Sequence, residues 1–354
     1  MALSKLQQQA LSKLTAAGNS DLGVALDQTR LNYLIAITAR DLGIAGIVPE
    51  DVSPPDLYDR VPSELLRVDA PGFINRFEAL LGSTPDADTY FTCLGTLLKA
   101  RLKYERILQA QPVPSVEQIG PRSLLQFGHI EPEALAAFLF WRKWIFDIDN
   151  RAGQETGYLF EPILAQAIGG VPMSARKSPV KRGGSGGKGR QVDCLREVGD
   201  HRLAYELKLR VTIAASGQGR WREELSFPED CQLSGYKPVL VVFDGIPNPK
   251  LSELSTTFRR AGGEVHIGAD AWEHLEQEAG DTMSLFLERY VREPVDSMLT
   301  SAPDALPPIT FSMNEGKLIV SVAHDQLVVT RVEGASESED QPLPDDVDGA
   351  VGGA

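Results

Sequence analysis

The stretch that decides the fold is Arg190–Arg210, RQVDCLREVGDHRLAYELKLR. It reads as two strands joined at Gly199-Asp200, a dipeptide with turn chemistry. Val192, Cys194 and Leu195 give the first strand its apolar content. In the second, Leu203, Tyr205, Leu207 and Leu209 alternate with Ala204, Glu206, Lys208 and Arg210. Strand side chains alternate between faces, so Glu206, Lys208 and Arg210 share one, and Asp193 on the partner strand can lie beside them. Carboxylates and an ammonium group on a pleated surface are costly to desolvate without partners. A divalent metal held between them would supply the missing compensation.

Asp193 precedes Glu206-Leu207-Lys208 by one hairpin. This arrangement resembles the PD-(D/E)XK nuclease superfamily, whose motif is an Asp on one strand and an (Asp/Glu)-x-Lys on the next. Val192 stands where that motif has Pro. A second acidic-x-Lys, Glu315-Gly316-Lys317, follows Asn314 in what reads as a hairpin turn. Only the Glu206 copy sits in a strand that follows another strand carrying an Asp. The plain alternative is a surface hairpin with a solvated charged face.

Outward from the hairpin, the chain reads as helix, strand, strand, helix, strand, helix, strand. Glu131–Asn150 and Gln154–Ile168 are expected as two helices, the second closed by Gly169-Gly170. Val239–Phe243 is a continuous apolar run of the kind that fills a buried central strand. Helices are expected over Arg220–Ser234, bent at Pro228, and over Pro249–Arg260, with a short strand at Glu264–Ile267 and further helix from Asp270. The fold class is therefore α/β, and the element order resembles the nuclease fold, which implies a mixed-sheet, restriction-endonuclease-like core. Residues 1–125 read as a helical region for DNA recognition, dimerisation or cover, and 126–300 as the catalytic core. A small C-terminal β appendage spans 305–333, and 334–354 is a disordered acidic tail.

Composition bounds the partners. The 354 residues carry a net charge of −14, which opposes nucleic-acid binding unless the charge is segregated. It is segregated. Twelve basic residues between Arg176 and Arg222 face only four acidic ones, whereas seven acids and no base follow Arg331. Distant acid is screened, so a basic zone around the hairpin meets the need of phosphate contact. Lys177–Arg190, KSPVKRGGSGGKGR, is glycine-rich and basic. Its Gly184-x-Gly186-x-x-Gly189 leads into a strand rather than a helix, which rejects a dinucleotide fingerprint. A flexible arm along the DNA backbone, or a plain linker, is left. Lys181, Arg182, Lys188, Arg190, Arg210 and Arg220 are the candidate DNA contacts. No apolar run is long enough to span a bilayer, and the first residues lack a signal-peptide core. Cys93, Cys194 and Cys231 lack zinc spacing, and the expectation is reduced thiols in a cytoplasmic, bacterial-type setting.

The resemblance implies a type II restriction endonuclease: Mg²⁺-dependent, sequence-specific hydrolysis of double-stranded DNA. It implies metal ligation by Asp193 and Glu206 and a catalytic Lys208. A further acid comes from the preceding helix, with Glu161 first and Glu155 in reserve. A homodimer is implied as well, with a cognate DNA methyltransferase in the same system but not as a bound subunit. Two rivals remain open: a repair or structure-selective nuclease of the same fold, and a noncatalytic DNA-binding or scaffold protein.

Overall fold

The computed structural model describes residues 3–17, 22–47, 56–58, 73–184, 187–209 and 218–332. The expected acidic tail, 334–354, lies outside them.

Among the described residues five helices come first: α1 (Lys5–Thr15), α2 (Gln28–Asp41), α3 (Phe73–Leu81), α4 (Ala87–Ala110) and α5 (Val116–Ile119), the last running into a 3₁₀ turn at Gly120–Ser123. Then α6 (Pro132–Ala167) runs unbroken for 36 residues. Two helices were expected here. Gly153 and Gly157 each cost a helix only about 1 kcal/mol relative to Ala, too little to end it. Pro162 is carried inside the helix, where the residues after it, Ile163, Leu164 and Ala165, are buried. Tertiary packing overrides the local signal.

After α6 the chain builds one sheet. Its strands are β1 (Val171–Met173), β2 (Val192–Val198) and β3 (His201–Lys208). Helix α7 (Gln218–Leu233) leads to β4 (Lys237–Val242), and α8 (Pro249–Arg260) leads to β5 (Glu264–Ile267). Spatial order follows sequence order, β1-β2-β3-β4-β5. The first two pairings are antiparallel and the last two parallel. This is the mixed sheet expected, and the reason is connection length. Val198 pairs with His201 across Gly199-Asp200, and Gly199 takes φ +58° at the first position of that two-residue loop. Parallel neighbours need a crossover, which α7 and α8 provide.

Period-two alternation divides the sheet between two cores. Cys194, Tyr205, Leu207, Val239 and Val241 point one way, into a core shared with α6 and with α9 (Ala269–Leu287). The same core continues through Leu34, Phe77, Phe91 and Leu94 of the N-terminal helices. Leu195, Ala204, Leu240 and Val242 point the other way, against Phe227 and Cys231 of α7 and Leu254 and Phe258 of α8. β4 is covered on both faces, which is why it reads as uninterrupted apolar sequence.

Beyond a π-helical turn at Glu288–Arg292 and α10 (Glu293–Thr300), strands β6 (Ile309–Asn314), β7 (Lys317–Val322) and β8 (Asp325–Thr330) form a separate antiparallel sheet. Glu315 and Gly316 both take positive φ between Asn314 and Lys317, the geometry of a two-residue hairpin. Leu318 and Val329 pack on Ile107 of α4 and on Trp144 and Ile148 of α6. No helix among the described residues is long and apolar enough to cross a membrane.

The junction between α6 and the sheet is tight. Gly169 closes the helix at φ +70°, and a Cβ on Gly170 would lie 2.1 Å from the Cys194 sulfur. Gly170→Ala is expected to destabilise the protein by about 1–3 kcal/mol, as overpacked cores do. Urea unfolding monitored by tryptophan fluorescence reads this as a lower midpoint at an unchanged slope.

Candidate active site

The register of β2 and β3 assembles the site. Cys194 pairs with Tyr205, so Asp193 comes level with Glu206, on the face of the sheet that α7 covers. One oxygen of Asp193 accepts a 2.9 Å hydrogen bond from the Leu207 N–H. The Lys208 ammonium lies 3.0 Å from Glu206 Oε1 and 3.5 Å from Glu224 Oε2, and all three side chains are less than one-fifth exposed.

Electrostatics explain the protonation states. Burial is the largest force on Asp193, followed by the charges of Glu206 and Glu161, and together they hold its pKa well above the usual carboxylate range. The Leu207 N–H and Lys208 offset this only in part. Burial works against the Lys208 ammonium, but Glu206, Glu224 and Asp193 outweigh it and raise its pKa above the ordinary lysine value. Lys208 is therefore a fixed cation, suited to steadying developing negative charge and not to accepting a proton. Cys231, beside Glu206, is pushed up by burial first and by that carboxylate second, and remains a thiol.

The donor set fits a hard cation. Asp193, Glu206 and Glu161 offer carboxylate oxygen, and their mutual repulsion is what an added positive charge would relieve. No three Asp, Glu, His or Cys side chains among the described residues form a ready-made metal cage.

Most of the predicted residues lie among the described ones. Glu161 of α6 acts on Asp193, whereas Glu155 pairs with Lys103 of α4 at 2.6 Å and is turned away from the hairpin. The glycine-rich segment is not the loose arm expected. Lys181 bridges Gly189, and Arg182 N–H donates to the Lys188 carbonyl at 2.9 Å. A Cβ on Gly189 would lie 1.8 Å from the Ala175 carbonyl oxygen, so this glycine permits a close crossing of two backbone segments. Arg190, expected among the DNA contacts, is buried and paired within the protein. It is 7% exposed, ion-paired with Asp230, and donates to Ser226 Oγ and the Glu223 carbonyl. Arg182 reaches solvent beside Glu223 at 2.7 Å, and Lys188 is exposed. The Lys181 ammonium donates to the Ser178 carbonyl at 2.7 Å. Arg210 lies outside the described residues, and so does the side chain of Arg220, in the first turn of α7.

Sequence reasoning missed Glu224. It stands sixteen residues after Lys208, across a loop, where no short motif reaches. The available signal was an acidic pair, Glu223-Glu224, directly after Arg222 at the edge of the basic zone.

The Asp193 shift has a stability consequence. A carboxyl whose folded pKa exceeds its unfolded value, about 3.9, is released first by the unfolded chain. It therefore subtracts stability as pH climbs from that value toward the folded pKa. In EDTA, Asp193→Asn is expected to melt higher than the parent at pH 7–8, with the difference closing below about pH 4. Thermal melts across that range check it.

Residues 71–292 match the ApaLI-like restriction endonuclease family, a span that includes every element of the site. The chain is also 42% identical to the type II restriction enzyme ApaLI of Acetobacter pasteurianus, over 94% of this chain and 95% of that protein. No solved structure matches. Of the three readings open to the sequence, the restriction enzyme is the one these relatives bear out. The chain belongs to the ApaLI-like restriction endonuclease family, and with it to the type II restriction endonucleases, hydrolases that cut DNA at specific sites.

Proposed function

We propose that the chain hydrolyses phosphodiester bonds of double-stranded DNA through a PD-(D/E)XK-type site that uses Mg²⁺. The observation that carries this is the grouping of Asp193, Glu206 and Lys208 on paired strands, closed by the Leu207–Asp193 hydrogen bond. Asp193 and Glu206 would hold the metal, with Glu161 behind them and the Leu207 carbonyl within the same stretch of strand. When bound, the metal supplies an acidified water and a positive clamp on the phosphate. Binding competes with the proton on Asp193, so metal affinity rises with pH. Lys208 orients the attacking water or meets the charge that develops on the phosphate. Glu224 takes the second side of Lys208 and fixes where its ammonium points.

Residues 126–300 act as the catalytic core in this reading. Residues 1–125 serve recognition, dimerisation or cover, 305–333 form an appendage, and 334–354 an acidic tail. Lys188 and Arg182 lead the phosphate contacts. A homodimer suits a palindromic site, because a two-fold protein repeats each contact on the opposite strand. The cognate methyltransferase is a separate protein, and both work in the cytosol.

Incubation of purified protein with phage DNA tests the reading. Discrete fragments are expected with Mg²⁺ and none with EDTA. Lys208→Ala should lower the cleavage rate by at least about 10²-fold, the scale of one lost charge-stabilising donor. Glu224→Gln should lower it less while sparing DNA binding measured in Ca²⁺. Mg²⁺-dependent fragments from Lys208→Ala at the parent's rate would remove Lys208 from the chemistry.

A further inference from the structure

The N-terminal half of α6 carries an apolar face that none of the described residues covers. Phe138, Ile145 and Phe146 on the helix, and Leu124, Leu125, Phe127 and Ile130 in the segment leading to it, are 39% to 89% exposed. Together they present on the order of 800 Å², which exceeds the usual apolar patch of a monomer and equals one partner's share of a standard interface. Trp141 and Trp144, on another side of the same half-helix, pack toward β6–β8, and nearer the helix N-terminus Leu135 and Leu139 pack on Ile119 of α5.

The exposed face has its own pattern. Phe138, Arg142, Ile145, Phe146, Asp149 and Gly153 recur at three- and four-residue intervals, so they form one stripe. Arg142 lies over the Phe138 ring at 5.7 Å and Asp149 is exposed, and neither has an ion-pair partner among the described residues. Lys143 and Asp147, on the flank, are paired with each other. Gly153 is a costly choice inside a helix, yet open space lies where its Cβ would be.

We infer that this stripe is the surface on which a second copy of the chain docks, α6 against α6, antiparallel about a two-fold axis passing between Ile145 and Phe146. That symmetry places Arg142 opposite the partner's Asp149, twice over. It brings Ile145 against the partner's Phe146 and seats the Phe138 ring in the space above the partner's Gly153. Self-complementarity of this kind is what an isologous contact requires, and it explains the two lone charges and the glycine together. It rests on the homodimer proposed above and assigns that dimer a surface.

Sedimentation equilibrium of the full chain in EDTA, without DNA, tests the surface independently of the chemistry. Arg142→Asp and Asp149→Arg, each of which sets like charges face to face, should weaken dimerisation by at least about tenfold, or 1.4 kcal/mol. The double variant, which restores opposite charges, should return the dissociation constant to within about threefold of the parent. Gly153→Leu, which fills the seat of the Phe138 ring, should also weaken it, and circular dichroism confirms that each variant folds. A dimer indifferent to the single changes, or a double variant that fails to recover, would overturn the surface while leaving the homodimer standing. A parent that stays monomeric at tens of micromolar would overturn both, and discrete cleavage fragments would still be expected from the catalytic reading.

Discussion

The pairing of β2 with β3 is the constraint on which the site depends. A strand has a period of two, so sliding one strand by a single residue would turn Asp193 away from Glu206 and expose Cys194 on the wrong face. Three features hold the register. The two-residue loop at Gly199-Asp200 fixes its starting point. Cys194 and Tyr205 on one side and Leu195 and Ala204 on the other bury in different cores. The Leu207 N–H then bonds the Asp193 carboxylate directly, so a functional group also serves as a backbone partner.

The cost of that arrangement is visible in the charges. Several carboxylates and one ammonium group occupy a largely buried space, and Asp193 is pushed toward its protonated form. A protein optimised only for stability would place apolar side chains there. Under the proposed function a cation and a phosphate complete the site, and the rigidity that tolerates its crowded charges comes from β4, covered on both faces.

Much of this was legible in the chain. Turn chemistry at Gly199-Asp200 and alternation from Leu203 to Arg210 give the hairpin, and the acidic-x-Lys spacing gives Glu206 and Lys208. The unbroken apolar run at Val239 gives the central strand. Three things were not legible. Gly153 and Pro162 are local helix breakers, but burial of the residues after Pro162 carries α6 through them. Arg190 has the composition of a phosphate contact, and only its spatial partner, Asp230 forty residues away, turns it into an internal strut. Glu224 reaches Lys208 through the fold alone, as part of a helix whose place is set by the β3–β4 crossover.

Helix α7 carries neighbouring residues with different employers. Glu223 pairs with Arg182 of the glycine-rich basic segment, which the Lys181–Gly189 bridge closes into a second hairpin, and its carbonyl accepts from Arg190, while Glu224 pairs with Lys208. Asp230, two turns on, takes the Gly183 N–H at 2.7 Å as well as Arg190. The hairpin and the site are thus mounted on a single coupling rod. A phosphate that draws Arg182 away from Glu223 pulls on the same turn of helix that steadies Lys208. Under the proposed function, grip on the DNA backbone and placement of the Lys208 ammonium are mechanically one adjustment.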